Sequence, residues 1–177
     1  MKFIKLLKIT DAITFLNITI AMLAMICAIT GKMGVAAILM LVSVIFDYSD
    51  GAWSCRLNIA NEFGRELDSL ADVISFGVTP AIFVFSIYND VHYFIVYALF
   101  LAAGVMRLAR YNLNKTEGYF EGMPITLNGV FVPILYYCGV HPFIMHGYLI
   151  ASAALMISSI RVPKIRFFAK KKEEKEL

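Results

Sequence analysis

The sequence predicts an all-α membrane protein in which six helices cross the bilayer. Three observations predict this fold: an excess of apolar residues, six apolar stretches separated by short polar segments, and basic residues concentrated on one side of those stretches. Of the 177 residues, 60% are hydrophobic and only 16% are charged. Soluble domains usually contain about 45–50% apolar and about 25% charged residues, so the composition favours a multi-spanning membrane protein.

The six apolar stretches form one predicted membrane domain, residues 11–161. They cover approximately residues 12–30, 35–55, 64–88, 92–111, 125–140 and 143–160. Pro133 is expected to interrupt the fifth stretch. The first stretch is longer than the roughly 7–15 apolar residues of a signal peptide, and no small-residue cleavage site closes it. We therefore expect it to be a retained first helix.

Both ends of the chain differ in composition from this domain. In residues 1–10, lysines at positions 2, 5 and 8 alternate with apolar residues, which predicts a short helix lying in the membrane interface. Residues 162–177 end in a run of charges and are expected to form a solvated cytosolic tail.

Lysine and arginine residues predict the orientation of the helices. One side of the membrane receives nearly all of them, whereas the other side receives only Lys32. Because cytoplasmic flanks and loops are enriched in Lys and Arg, both termini are expected in the cytoplasm, which requires an even number of spans. The net charge of +3 is too small to indicate nucleic-acid binding, and the three widely spaced cysteines indicate neither a disulfide framework nor a zinc site.

Four aspartates lie in or against the apolar helical sequence. Asp47 and Asp50 are three residues apart near the end of the second span, and Asp68 and Asp72 are four residues apart near the start of the third. Each pair therefore lies on one face of its helix. If these helices pack antiparallel, Asp47 matches Asp72 in depth and Asp50 matches Asp68. All four carboxylates are then expected to converge on one pocket open to the cytosol.

Such a cluster of carboxylates requires compensating positive charge. An ionised carboxylate in a membrane is costly unless a cation accompanies it, and hard divalent cations prefer oxygen ligands. No His or Cys lies at ligand spacing, which disfavours zinc and copper and favours Mg²⁺ or Mn²⁺. Two such ions, about 3.5–4 Å apart, can share bridging carboxylates. Gly51 and Gly64, beside the acids, indicate close approach by a phosphate or by a neighbouring helix.

The segment from residue 47 to residue 72 resembles the signature of the CDP-alcohol phosphotransferase family, D-x2-D-G-x2-A-R-x8-G-x3-D-x3-D. Six positions match in register: Asp47, Asp50, Gly51, Gly64, Asp68 and Asp72. The chain departs from the signature at the A-R step, where Ser54 and Cys55 stand and the arginine follows as Arg56. Segments 64–81, 104–112 and 119–126 are similar to type II phosphatidylserine synthases, and with segment 11–17 (DAITFLN) the resemblance covers roughly residues 10–135.

This resemblance implies six helices around a cytosol-facing polar cavity, with two divalent cations that hold the diphosphate of a CDP-lipid. One cation would bind Asp47, Asp50 and Asp68, and the other Asp47, Asp68 and Asp72. The implied CDP-lipid-binding residues are Asn17, Asp50, Gly51, Arg56, Asn61 and Gly64. Family members are often homodimers, and the expected location is a prokaryotic cell membrane with the active site in the cytoplasm.

The implied reaction transfers a lipid phosphoryl group from CDP-diacylglycerol or CDP-archaeol to L-serine. The serine hydroxyl attacks the lipid-bearing phosphorus, CMP leaves, and Asp72 is the implied general base. Arg107 and Arg110, at the cytosolic end of the fourth span, are candidates for binding the serine carboxylate, with membrane anchoring as the alternative. Thr126 and Asn128 are candidates for additional hydrogen bonds to serine.

Two other functions fit parts of the sequence. Another enzyme of the same family would use glycerol phosphate or inositol phosphate as acceptor, and this would call for a denser basic pocket. A divalent-cation transporter would use the acids as its binding site, although no acidic path continues across the membrane and no inverted repeat is visible. The three histidines, His92, His141 and His146, fall on the outer side and are expected at the interface rather than in catalysis.

Overall fold

The computed structural model describes residues 9–57, 62–113 and 119–163, and within these ranges the chain is almost entirely helical. The α-helices are α1 Ile9–Ile29, α2 Met33–Leu57, α3 Glu62–Asp72, α4 Thr79–Tyr88, α5 Phe94–Leu113, α6 Asn128–Tyr137 and α7 Pro142–Ile157. The predicted all-α class is confirmed. Residues 1–8 of the predicted interfacial helix and residues 164–177 of the predicted tail lie outside the described ranges, and Ile9 already belongs to α1.

The lengths and compositions of the helices suit a membrane protein. Three stretches of the described chain are long and apolar enough to cross a bilayer: Asp11–Ile29, Phe63–Tyr88 and Val91–Leu113. Three shorter apolar helices cover Met33–Ser49, Ile125–Tyr137 and Pro142–Ile157. Each of the six coincides with one predicted span. Large apolar side chains such as Ile45, Phe94 and Ile95 remain exposed, as expected for surfaces that contact lipid. The number of membrane crossings stays a prediction.

Helices α1 and α2 form a hairpin that packs through small side chains. The turn between them passes through Gly31, whose φ of 79° suits glycine. Five alanines near this turn are fully buried, which allows a close approach of the two backbones: Ala21, Ala24, Ala28, Ala36 and Ala37. Further along, the buried Ser43 hydroxyl donates a hydrogen bond to the side-chain oxygen of Asn17. This bond fixes α2 against α1 one turn before Asp47.

The helix that carries Asp68 and Asp72 changes its winding immediately after them. Residues Val73–Val78 form a π-helical segment that joins α3 to α4, and the Thr79 hydroxyl donates to the carbonyl oxygen of Ile74 at 2.9 Å. This segment packs against α1, α5 and α6. Nothing in the sequence pattern predicted the change of winding. Single π turns inside helices are rare and are frequently found at functional sites.

Helix α6 runs through Pro133, so the expected interruption of the fifth span is wrong. Proline is tolerated in membrane helices where neighbouring helices and local adjustments satisfy the backbone. Four residues earlier, Gly129 brings α6 into tight contact with its neighbours. A Cβ atom at Gly129 would lie 2.6 Å from Phe76 Cδ1 and 2.7 Å from Val44 Cγ2.

A short antiparallel ribbon, which the sequence did not predict, closes the α5–α7 side of the bundle. Strand β1 (Tyr119–Glu121) pairs with strand β2 (Arg161–Pro163). Directly after β1, the Gly122 N–H donates to the carbonyl oxygen of Ile160 at 2.9 Å, and the Met123 N–H donates to that of Leu155 at 3.1 Å. The connection after α5 is therefore attached to the end of α7.

Candidate active site

Three carboxylates from two helices meet at one point. Asp47 from α2 and Asp68 and Asp72 from α3 each offer one oxygen, and these oxygens all lie within 4.8 Å of one another. The three side chains are half-buried. Asp50 lies one turn further along α2, and its side chain is outside the described part of the chain. The structure thus brings together three of the four acids that the sequence assigned to one pocket.

The Asp72 carboxylate fits a cation site. Its Oδ1 atom is buried and has no hydrogen-bond partner among the described residues, and its neighbours Asp47 and Asp68 carry the same charge. Buried polar atoms are normally paired, and carboxylates this close repel one another when ionised. A divalent cation bound to these oxygens would satisfy both conditions, and an all-oxygen ligand set suits Mg²⁺ or Mn²⁺.

A buried arginine faces this carboxylate from α5. Arg107 is only 7% exposed, and its positive charge acts on Asp72. The guanidinium carbon lies 5.6 Å from the centre of the Tyr111 ring, within the range of a cation–π contact. Arg107 Nε is buried and has no hydrogen-bond partner in the part of the chain that the structure describes. An oxygen of a bound ligand would satisfy this donor.

Arg110, one turn further along α5, contacts a different part of the protein. Its Nη1 donates to the carbonyl oxygen of Ile157 at 3.1 Å, and its Nη2 donates to those of Met156 at 3.3 Å and Ser158 at 3.1 Å. The last carbonyls of a helix have no partner within the helix, so Arg110 caps the end of α7. The structure therefore separates two arginines that the sequence assigned to one task.

A polar seam between α3 and the C-terminal end of α5 was missed by the sequence interpretation. Asn112 Nδ2 donates to Glu66 Oε2 at 3.0 Å and to Ser69 Oγ at 3.1 Å. The Ser69 hydroxyl also lies 3.2 Å from Asn112 Oδ1. This seam ties the helix of Asp68 and Asp72 to the helix of Arg107. The only signal for it was the asparagine that ends the polar motif RLARYN.

Helix α1 presents a buried polar face. Asp11, Thr14 and Asn17 follow one another at intervals of three residues, and all are at most 4% exposed. Helix α1 packs against both α2 and α3. The sequence interpretation named only Asn17, although the spacing of Asp11 and Thr14 would have placed all three on one side of a helix.

The remaining predicted site residues are spread more widely. Gly51 and Arg56 lie in the last turns of α2, where only the backbone is described, and Asn61 lies outside the described ranges. Gly64 is half-buried in the first turn of α3, and Thr126 is half-buried in the 3-10 turn Ile125–Leu127.

Asn128, the other candidate for hydrogen bonds to serine, is occupied by the protein itself. Its Nδ2 donates to the carbonyl oxygen of Ile125 at 3.0 Å. Its Oδ1 accepts hydrogen bonds from the Tyr148 hydroxyl at 2.9 Å and from the Ser152 hydroxyl at 2.7 Å. Asn128 therefore joins α6 to α7 in a buried network. These hydrogen bonds use both the nitrogen and the oxygen of its amide, so the side chain has partners without a ligand.

The expectation that all three histidines lie at the interface is wrong for His146, which is only 2% exposed. Its ring stacks on Tyr93 with centroids 3.7 Å apart. His146 Nδ1 donates to the carbonyl oxygen of Pro142 at 2.7 Å, and Nε2 lies at hydrogen-bond distance, 2.9 Å, from the Tyr97 hydroxyl. Tyr93 directly precedes α5 and Tyr97 lies in its first turn, at the opposite end of α5 from Arg107, and these partners make His146 part of the packing there.

Comparison with known proteins agrees with this constellation of acids. Residues 7–162 match the CDP-alcohol phosphatidyltransferase family, a range that contains all the acids and arginines described above. The chain belongs to the CDP-alcohol phosphatidyltransferase family. Members of this family generally depend on divalent cations, and the acidic triad Asp47, Asp68 and Asp72 provides suitable ligands for one.

Relatives within the family carry names that refer to serine. The chain is 36% identical over 172 residues to the archaetidylserine synthase of Methanothermobacter thermautotrophicus, with 93% of this chain and 73% of that protein covered. It is 32% identical over 166 residues to the CDP-diacylglycerol–serine O-phosphatidyltransferase of Methanocaldococcus jannaschii, covering 90% and 76%. The Bacillus subtilis protein of the latter name is 32% identical over 136 residues, covering 75% and 73%.

Proposed function

We propose that this protein transfers the lipid phosphoryl group of CDP-diacylglycerol or CDP-archaeol to L-serine, releasing CMP. The observation that carries the proposal is the position of the buried Arg107 beside Asp72, within a cluster of three carboxylates. A site for two phosphates needs the cations that carboxylates attract, and a site for an amino-acid acceptor needs a cationic side chain close to the reacting hydroxyl. The names of the relatives support the same reaction.

The acids are proposed to hold the CDP diphosphate through two divalent cations, Mg²⁺ or Mn²⁺. Asp47, Asp50 and Asp68 would bind the first cation, and Asp47, Asp68 and Asp72 the second. When bound, such cations neutralise charge on the phosphoryl oxygens and on the departing CMP, which is the main requirement of phosphoryl transfer. The oxygens of Asp47, Asp68 and Asp72, all within 4.8 Å of one another, support this assignment.

The other proposed contacts to the CDP-lipid come from α1, from the end of α2 and from the start of α3. Gly51 and Gly64 have no side chain to obstruct the nucleotide, and Asn17, Arg56 and Asn61 would supply polar contacts. Asn17 is buried on the face of α1 that also carries Asp11 and Thr14, which supports a polar lining on that side.

Asp72 is the proposed general base. The hydroxyl oxygen of serine forms a bond to the lipid-bearing phosphorus, the bond from that phosphorus to the CMP oxygen breaks, and the hydroxyl proton passes to Asp72. Asp72 ends α3 beside Asp47 and Asp68, which supports a position for its carboxylate next to the proposed cations and the acceptor hydroxyl. General bases must lie within hydrogen-bond reach of the proton that they remove.

The acceptor carboxylate is proposed to bind Arg107, with Thr126 as a further polar contact. Arg107 combines burial, an unpaired Nε and proximity to Asp72. Arg110, which the sequence assigned to the same role, hydrogen-bonds three carbonyls of the α7 end, and this favours Arg107 as the principal ligand. One buried arginine suits the single charge of a carboxylate better than the double charge of a phosphate acceptor.

The protein is further proposed to be a multi-pass membrane protein with six spans and cytoplasmic termini. The active site would then open to the cytosol, where serine and CMP are soluble, while the lipid chains stay in the bilayer. A homodimer is proposed from the family resemblance. Labelling of single introduced cysteines on either side of the membrane would test the topology.

An acceptor assay tests the proposed function. The purified protein would be supplied with CDP-diacylglycerol or CDP-archaeol, Mg²⁺ or Mn²⁺, and one acceptor at a time: L-serine, glycerol phosphate or inositol phosphate. We expect CMP release and lipid product with L-serine. CMP release only with a phosphorylated acceptor would contradict the serine assignment, and metal flux in proteoliposomes without CDP-lipid would favour a transporter.

A further inference from the structure

Ser75 carries a buried hydroxyl without a partner in the described chain. It is only 1% exposed, and its Oγ atom shares this unpaired state with Asp72 Oδ1 and Arg107 Nε. A serine hydroxyl inside a helix commonly bonds to a carbonyl of the preceding turn. Thr79, in the same helix, does so by donating to Ile74. The hydroxyl of Ser75 makes no such bond, although it lies inside the π-helical segment.

Helices α3 and α4 and the π-helical segment between them run alongside α5. Their contacts with α5 show how deep in the bundle Ser75 lies. On the cytosolic side, Ser69 is hydrogen-bonded to Asn112. On the opposite side, a Cβ atom on Gly77 would lie 3.1 Å from Leu101 Cδ1. Asp72 and Arg107 interact between these two levels.

Ser75 lies close to that pair along the helix. It follows Asp72 by three residues within the π-helical segment, less than one turn deeper in the bundle. The π-helical segment that contains it packs against α5, the helix that supplies Arg107. The three unpaired atoms thus come from two facing helices at adjacent levels, and they comprise an acceptor, a donor and a hydroxyl that can do either.

We propose that Ser75 is a specificity residue for the acceptor, and that its hydroxyl accepts a hydrogen bond from the ammonium group of an amino-acid substrate. This assignment rests on the proposed function. Serine is a zwitterion, so its site needs a partner for each charge. Arg107 on the α5 side suits the carboxylate, whereas the Ser75 hydroxyl can accept a hydrogen bond from the ammonium group.

The energetics of a buried, unpaired hydroxyl support a role in binding. Burying a hydroxyl without a hydrogen bond is unfavourable, so alanine at position 75 would leave the folded protein at least as stable. A polar group that destabilises the protein without ligand is expected where a ligand pairs with it. Substrate discrimination is largest when a site contains buried polar groups that only the correct substrate satisfies.

The test compares Ser75→Ala with wild type in the CMP-release assay. We expect the KM for L-serine to rise about tenfold, as for loss of a hydrogen bond to a charged group, while the KM for CDP-lipid stays unchanged. Inhibition by 3-hydroxypropanoate, which has the carboxylate and hydroxyl of serine but no ammonium group, should be equal in the two proteins. The melting temperature of Ser75→Ala should not fall.

Thr79→Val is the matched control, because it removes a buried hydroxyl one turn away that is already paired within the helix. It should lower the melting temperature and leave the KM for L-serine unchanged. The assignment is overturned if Ser75→Ala has the wild-type KM for serine, if its KM for CDP-lipid rises equally, or if inhibition by 3-hydroxypropanoate weakens as much as serine binding. A wild-type protein that uses no serine would overturn the proposed function as well, so the two failures are distinguishable.

Discussion

Arg107 on α5 faces Asp72 on α3 across the interior of the helix bundle. Asp72 belongs to a group of three carboxylates, so the charge of Arg107 leaves net negative charge in this group to attract divalent cations. A carboxylate-binding group and a proton acceptor thus lie close enough for their charges to interact. The pair thus links the two halves of the proposed reaction, nucleotide binding through cations and acceptor binding through arginine.

Replacing the proposed base tests the reaction directly. Asp72→Asn keeps the shape of the side chain but removes its charge and its ability to accept the hydroxyl proton. We expect kcat to fall by about 10² or more, the typical contribution of a general base, as measured by CMP release at saturating substrates. Asp90→Asn is the control, because Asp90 lies between α4 and α5 and bonds to His92. Near-normal turnover by Asp72→Asn would remove Asp72 from the mechanism.

Removal of divalent cations should stop the reaction. Chelation is expected to abolish CMP release, and Mg²⁺ or Mn²⁺ should restore it, because the carboxylates alone would repel the diphosphate. Binding of a cation to the folded state should also raise the melting temperature, and this rise should shrink in Asp68→Ala. Full activity after exhaustive chelation would contradict the cation site, and an equal thermal shift in Asp68→Ala would remove Asp68 from its ligands.

The two arginines of α5 should respond differently to substitution. Arg107→Ala is expected to raise the KM for serine by at least about tenfold, because it removes the charged partner of the carboxylate. Arg110→Ala should instead lower the melting temperature, since it leaves the carbonyls of Met156, Ile157 and Ser158 without their donor. If Arg110→Ala raised the KM for serine and kept its melting temperature, the sequence interpretation of Arg110 as a serine ligand would be restored.

The sequence predicted those features that depend on helical spacing and on the cost of charge in a membrane. Asp47, Asp68 and Asp72 do converge, because i, i+3 and i, i+4 positions share a helix face whatever the detailed packing. The apolar stretches likewise predicted the positions of the helices within a few residues.

Features that depend on which side chain meets which neighbour could not be predicted. Arg107 and Arg110 have the same chemistry and lie on one face of α5, and only the position of the α7 end gives them different partners. The π turn after Asp72, the ribbon between β1 and β2 and the burial of His146 against Tyr93 also depend on tertiary contacts. Local sequence contains little information about such contacts.

The ribbon and the Arg110 cap meet at Gly122, which provides a final prediction about stability. Gly122 has φ of 74°, and a Cβ atom there would lie 2.4 Å from the carbonyl oxygen of Met156, an atom that Arg110 also contacts. Gly139 has φ of 63° and nothing within 4 Å of a Cβ atom. Gly139→Ala should therefore lower the free energy of unfolding only through the strain of the left-handed backbone conformation, by about 1–2 kcal/mol. Gly122→Ala has the same strain and must in addition displace the backbone of α7. We expect the melting temperature of Gly122→Ala to fall at least twice as far as that of Gly139→Ala, and equal decreases would show that the ribbon does not hold the end of α7.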